Sequence, residues 1–296
     1  MERFPAKVLV ATDGSKDALL ATRAAIDLCT MTGAELHLVH VWRTVPSPHF
    51  EPYIRKQLER EARELLDEQV KTGEALGGVV AGSHLREGQK SGEILDLAEE
   101  LGDALLVIGT RGHGPVRRLL LGSVSEGVVY HASSPVLVMR GGEEAWPPAR
   151  IIIGDDGSED ARGAAQLAAR IGGCFGSPAL LVRAYPRLPE MDDEGRRLDA
   201  RMVDDELRRE ERYLAERATE IEGLLDSRSK IHIAVGNPAS CILQAAQESR
   251  GGAKRALVAV GSRGFGPLGR MTLGSVSTKV LKAAEGPVLI YPHPRD

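Results

Sequence analysis

"GTRGHGPVRRLLLGSVS", residues 109–125, decides the fold class through what stands on either side of it. It closes the apolar run "ALLVI", which suits a buried strand, and it leads into a stretch with helical spacing. A strand handed to a helix through a glycine-rich loop is the joint of an α/β fold. The pattern returns at residues 261–277 as "GSRGFGPLGRMTLGSVS".

Outward from these stretches the whole chain repeats. "KVLVATDGSKDA" corresponds to "RIIIGDDGSEDA", "LHLVHVW" to "ALLVRAY", "REGQKSGEIL" to "AVGNPASCIL", and "SSPVLVMR" to "EGPVLIYP". The order is the same in both halves, and the unit is too long for a solenoid repeat, so each copy is a domain. The sequence predicts domains at residues 1–141 and 150–296, with a linker at 142–149 in the aperiodic, glycine- and proline-containing "GGEEAWPPA". Within each copy, short β-branched runs alternate with amphipathic stretches. Leu19, Ile26 and Cys29 mark one apolar helical stripe, and the charged runs near residues 54–73 and 195–223 read as solvated helix faces. Strand–helix alternation implies parallel strands with right-handed crossovers, hence an open α/β sheet in each half.

The 296 residues, 42% hydrophobic and 27% charged with a net charge of −4, describe an ordinary globular chain of about two domains. Nothing in that balance suggests a nucleic-acid partner, which would need a basic face. No apolar run is long enough to span a bilayer, and the N-terminal stretch lacks signal-peptide character, so the expected location is the cytoplasm. Cys29, Cys174 and Cys241 share no metal-type spacing and read as small buried hydrophobes of a reducing compartment.

In such a sheet, ligands bind beyond the carboxyl ends of the strands, where strand order reverses. Gly109 and Gly112, and likewise Gly261 and Gly264, free the backbone for positive φ and for close approach to a ligand. Then comes "GSVS": Gly122, Ser123, Val124 and Ser125, or Gly274, Ser275, Val276 and Ser277. These open a helix whose N-terminal N–H groups and partial positive charge suit phosphate. The first helix of each copy opens with acids instead, Asp17 or Glu159 and Asp160, so phosphate fits the fourth helix better. Arg111, Arg117 and Arg118, or Arg263 and Arg270, could add charge-assisted hydrogen bonds. Asp13 and Asp156 end the first strands just before a glycine. They read either as turn-forming or capping residues or as carboxylates for a ribose hydroxyl or a phosphate-bridging Mg2+. No G-x-x-x-x-G-K-[ST] loop is present, and "GFGPLG" lies far from the first strand of its unit, where a dinucleotide fingerprint belongs. The histidines are scattered; His40 and His84 read as surface or loop residues, and no Ser/His/Asp arrangement recurs.

The motif G-x-x-G-x9-G-S in both copies, with the two first-strand aspartates, resembles tandem universal stress proteins over nearly the whole chain. The resemblance implies a five-stranded parallel sheet in order 3-2-1-4-5 per domain, of the adenine nucleotide alpha hydrolase-like type. It implies one ATP with Mg2+ per domain, with Val41 and Ala184 against the adenine. It also implies pairing of the domains through their last strands, 135–139 and 287–291, and a homodimer, with roles in stress survival and weak or no hydrolysis. The second copy departs from the first in having Ala184 for Val41 and Arg255 for Asp103. The leading expectation is a regulatory ATP-binding module. The alternatives are a weak ATPase or adenylate-forming enzyme, for which His113 of the first copy has only Phe265 as its counterpart, and a nucleotide-free interaction scaffold.

Overall fold

The alternation of short strands and capped helices sets the architecture. The computed structural model describes residues 3–43, 51–110, 121–185, 200–225, 227–249, 251–263 and 273–293, with backbone only at 51–53 and 200–203. The first half runs β1 (Lys7–Ala11), α1 (Lys16–Thr32), β2 (Glu35–Trp42), α2 (Glu51–Ala75), β3 (Val80–Glu87), α3 (Lys90–Leu101), β4 (Ala104–Gly109), α4 (Ser123–His131), β5 (Val136–Met139). The second half repeats it: β6 (Arg150–Gly154), α5 (Glu159–Phe175), β7 (Ala179–Tyr185), α6 (Ala200–Glu222), β8 (Lys230–Val235), α7 (Pro238–Gln247), β9 (Ala256–Gly261), α8 (Ser275–Ala283), β10 (Val288–Tyr291).

Two five-stranded parallel sheets were expected, and each half has one in order 3-2-1-4-5. As expected of their last strands, the two halves join there. β5 and β10 pair antiparallel, Leu137 opposite Leu289, and close a single sheet of order β3-β2-β1-β4-β5-β10-β9-β6-β7-β8. The pairing satisfies the backbone groups of two strands that would otherwise be sheet edges. Val136, Leu137, Val288 and Leu289 are fully buried there, or nearly so.

Strand alternation sends Val8 and Val10 to one face, under α1 and α2, and Leu9 to the other, under α3 and α4. The second half does likewise, giving a helix–sheet–helix sandwich. α1 is held at its start by the Ser15 side chain, which accepts from the Ala18 N–H, and at its end by Gly33 in the left-handed conformation. Its buried face is Ala21, Ala24, Ala25 and Leu28, whose small alanines let the helix lie close to the sheet. The stripe of Leu19, Ile26 and Cys29 flanks that face, with only Ile26 buried.

The linker region is packed. Residues Glu143–Ala145 make a 3-10 turn, and Ala145 and Trp146 are buried. Trp146 donates from Nε1 to Asp27 on α1 (3.0 Å) and meets Phe175 of α5 edge-on, with ring centroids 5.2 Å apart. It therefore ties one half to the other.

Candidate functional site

At the carboxyl ends of β1, β2 and β4 lies a cavity of about 540 Å³, and at the matching ends of β6, β7 and β9 one of about 390 Å³. The first brings together Asp13, Val41, Gly109, Gly122, Ser123, Val124 and Ser125. The second brings together Asp156, Ala184, Gly261, Arg263, Gly274, Ser275, Val276 and Ser277. Arg111, Gly112, His113, Arg117, Arg118, Gly264, Phe265 and Arg270 lie outside the described residues.

The geometry corrects the reason for two glycines. Neither Gly109 nor Gly261 has positive φ. A Cβ on Gly109 would sit 2.6 Å from the Asp17 carbonyl carbon, and one on Gly261 2.6 Å from the Asp160 Cβ. These glycines let the first helix of each half press against the end of the fourth strand.

The acids of those helices then latch the loop. Thr110 donates from Oγ1 to Asp17 Oδ2 at 2.6 Å. In the second half the Ser262 hydroxyl (3.0 Å) and the Arg263 N–H (3.1 Å) donate to Asp160 Oδ2, and His293 Nδ1 lies 2.6 Å from Oδ1. The sequence reading treated these acids only as dipole partners. Their recurrence opposite a hydroxyl, Thr110 or Ser262, was the available signal.

The starts of α4 and α8 are anchored alike. The Gly122 N–H donates to the Thr110 carbonyl (2.8 Å) and the Gly274 N–H to Ser262 (2.7 Å). The Ser125 and Ser277 hydroxyls donate to the Gly109 and Gly261 carbonyls at 2.8 and 2.6 Å. The second serine of "GSVS" thus directs its proton into the fold.

Gly122 and Gly274 occupy the N-cap positions and carry no capping side chain. By contrast Ser15, Gln89, Ser158 and Asn237 cap α1, α3, α5 and α7. Several helix starts line the cavities, but those of α4 and α8 do so without a side-chain cap, so their N–H donors remain for another acceptor.

Asp13 accepts from the Ser15 N–H at 3.0 Å, and Asp156 from the Ser158 N–H (3.0 Å) and hydroxyl (2.6 Å). Each is a turn-former that also lines its cavity. Among the described residues, no group of three or more His, Cys, Asp or Glu converges as a metal site.

Several lining residues were not singled out. His40, read as a surface or loop residue, is a buried strand residue whose Nδ1–H donates to the Thr12 carbonyl at 2.8 Å. Burial lowers its pKa, which keeps the ring neutral. In the second half Arg183 takes its place, and Asp155 replaces Thr12. Lys90 lines the first cavity at the start of α3, where Pro238 lines the second. The departure of Arg255 from Asp103 has no bearing on the site, because both stand at the opposite, amino-terminal ends of their strands. The cysteines are free and half-buried rather than buried, and burial pushes the Cys29 thiol up to about 12.

Comparisons with known proteins agree with this duplication. The family model described as "Universal stress protein family" matches residues 6–140 and again 148–292. A universal stress protein of Mycobacterium tuberculosis is 30% identical, with 98% of this chain and 96% of that protein covered. One from Mycolicibacterium smegmatis is 27% identical, with 96% of each covered. The crystal structure of a universal stress protein from Archaeoglobus fulgidus shares the fold, with a TM-score of 0.68 and 22% identity over 97% of this chain and 98% of that one.

Proposed function

The chain belongs to the universal stress protein family, and from that premise we propose that each half binds one ATP, with Mg2+, as a regulatory rather than a hydrolytic site. The observation that carries this reading is the pair of helix starts, at Gly122 and Gly274, that open into the cavities without a side-chain cap. Free N–H groups at the positive end of a helix suit phosphate. Cavities of about 540 and 390 Å³ are of ligand-site size. Val39, Val41, Ile94 and Ile108 give the first an apolar wall for a base, next to polar Asp13 and Lys90. In the second, Val182, Ala184, Ile242 and Val260 supply that wall, with Arg263 at the polar end.

In this reading the first residues of α4 and α8 hold the phosphates through backbone N–H groups. Asp17 and Asp160, by latching the loops, keep those donors in place. Mg2+ would neutralise phosphate charge, with Asp13 or Asp156 the carboxylate of the cavity wall that would hold it. The fixed hydrogen bonds of Asp17, Asp160, Ser125 and Ser277 assign these groups to positioning. The half-buried free thiols suit a reducing cytoplasm, and pairing of chains as a homodimer accompanies this reading.

The test is Gly122→Asp and Gly274→Asp. Both glycines have extended backbone, with φ −67 and −60, that any residue adopts. A carboxylate at the N-cap would accept the helix N–H groups itself and repel phosphate. Asp and Gly differ at an N-cap by only a few tenths of a kcal/mol, roughly, so the fold should persist. Losing two charged hydrogen bonds, each about 1.5–3 kcal/mol, should weaken ATP about a hundredfold or more at the altered site. Calorimetric titration that finds wild-type affinity in the double variant, or no ATP binding by the wild type, would overturn the reading.

A further inference from the structure

We infer that the outer edge of the first half carries a divalent transition-metal site made by His37 and His84. The pair lies on β2 and β3, away from the nucleotide cavities. The register sets His37 opposite Gly82 and Val39 opposite His84, so the two histidines are diagonal neighbours on one face of the sheet. Gly82 makes the room: a Cβ there would sit 2.5 Å from His37 Nδ1. His37 Nδ1 and His84 Nε2 consequently stand 3.1 Å apart, with the rings stacked at 5.4 Å between centroids.

That separation matches a chelate. With metal–imidazole bonds of about 2.0–2.1 Å, nitrogens 3.1 Å apart subtend roughly 100° at the metal. The angle falls between the cis positions of an octahedron and those of a tetrahedron.

Glu35 completes the arrangement. Its Oε2 lies 3.3 Å from His37 Nε2. A carboxylate accepts, so Nε2 carries the proton and Nδ1 presents its lone pair toward His84. A carboxylate behind a ligating histidine is the usual outer support of a metal site. Without metal, His84 Nε2–H donates to the His37 lone pair; on binding, the His84 proton moves from Nε2 to Nδ1 through solvent and Nε2 is offered to the metal. His84 is half-exposed, so water fills the remaining positions. Two imidazoles with no thiolate select Zn2+, Ni2+ or Cu2+ rather than Mg2+ or Ca2+.

The second half supplies an internal control. His232 occupies the register position of His84, opposite Val182, but Leu180 stands where His37 would be.

The experiment titrates Zn2+ and Ni2+ separately into the nucleotide-free full chain by calorimetry, and records the electron paramagnetic resonance of the Cu2+ form. One metal per chain is expected, with two imidazole nitrogens coupled to copper. His84→Gln should weaken binding at least about tenfold, Glu35→Gln by a smaller factor, and His232→Ala not at all. Absence of stoichiometric uptake by the wild type, a copper signal without two coupled nitrogens, unchanged affinity in His84→Gln, or loss in His232→Ala would each overturn the assignment. The copper spectrum is read on the unaltered chain and does not depend on any variant folding.

Discussion

Single residues distinguish the two cavities. At the end of β1, Thr12 donates to Gln69 on α2, a neutral bond at 3.2 Å. At the end of β6 the same place holds an ion pair: Arg217 of α6 donates from Nε to Asp155 at 3.0 Å. Both partners are buried. The Gly157 N–H also donates to Asp155 (2.7 Å), and Arg217 donates further to Tyr213 (2.6 Å) and Glu220 (3.1 Å). Arg183 stacks over the Tyr213 ring at 5.0 Å and pairs with Glu210. Burial raises the Asp155 carboxyl above its ordinary range, against the pull of Arg217. Desolvation of the Asp155 carboxylate therefore offsets much of the attraction, although, against its own desolvation, Asp155, Tyr213 and Glu220 raise the pKa of Arg217 and hold its charge. The consequence is asymmetric. Asp155→Thr alone leaves Arg217 buried without its Asp155 partner and should cost about 3–5 kcal/mol. The double change Asp155→Thr with Arg217→Gln installs the neutral pair of the first half and should lie within about 2 kcal/mol of wild type. Urea unfolding of the four proteins in the cycle decides it. A coupling energy under about 0.5 kcal/mol would mean that the pair does not act as a unit.

Among the elements, the seam between β5 and β10 decides whether the halves behave as one body. Leu137 and Leu289 face each other there, and both are fully buried. Either Leu→Ala change should cost about 2–5 kcal/mol. Because the two side chains meet across one strand pair, the double variant should depart from additivity by about 0.5 kcal/mol or more. Additive losses in denaturant titrations would show that the seam leucines do not share a cavity. The elements themselves were legible in the sequence because the duplication prints each strand and helix twice, and agreement between copies filters out chance patterns. The partners each element meets were not legible. Gly109 and Gly261 look like ligand-loop glycines in sequence, yet what demands them is the first helix, roughly ninety to a hundred residues earlier in the chain. Asp17 and Asp160 look like first-turn acids, yet each holds a hydroxyl of a loop about as far away. His40 shows no periodicity that separates a cavity wall from a surface strand. The packed linker eluded composition because proline and glycine mark turns whether or not a tryptophan between them is buried.

For the whole molecule, the antiparallel seam fixes where the two sites face. All strands of one half run parallel to one another, and β5 opposes β10, so the strands of the two halves run in opposite senses. Both cavities lie at carboxyl ends of strands and therefore open at opposite edges of the ten-stranded sheet. No single nucleotide can span them, and any communication must pass through the shared core. That core is continuous: residues of both halves, Leu137 and Leu289 among them, belong to one buried cluster, and Trp146 joins α1 to α5. We therefore expect a single unfolding transition, with ligand effects that add. A ligand present at a hundred times its dissociation constant stabilises by about 2.7 kcal/mol per site, so the wild type should gain about 5 kcal/mol from saturating ATP. Gly122→Asp or Gly274→Asp alone should halve that gain, and the double variant should gain nothing. Differential scanning calorimetry reads this directly. If instead the halves unfold independently, blocking one site splits the trace: the blocked half melts at its ligand-free temperature while the other keeps its full shift. Such a split trace would refute the picture of one cooperative sheet while leaving both nucleotide sites intact.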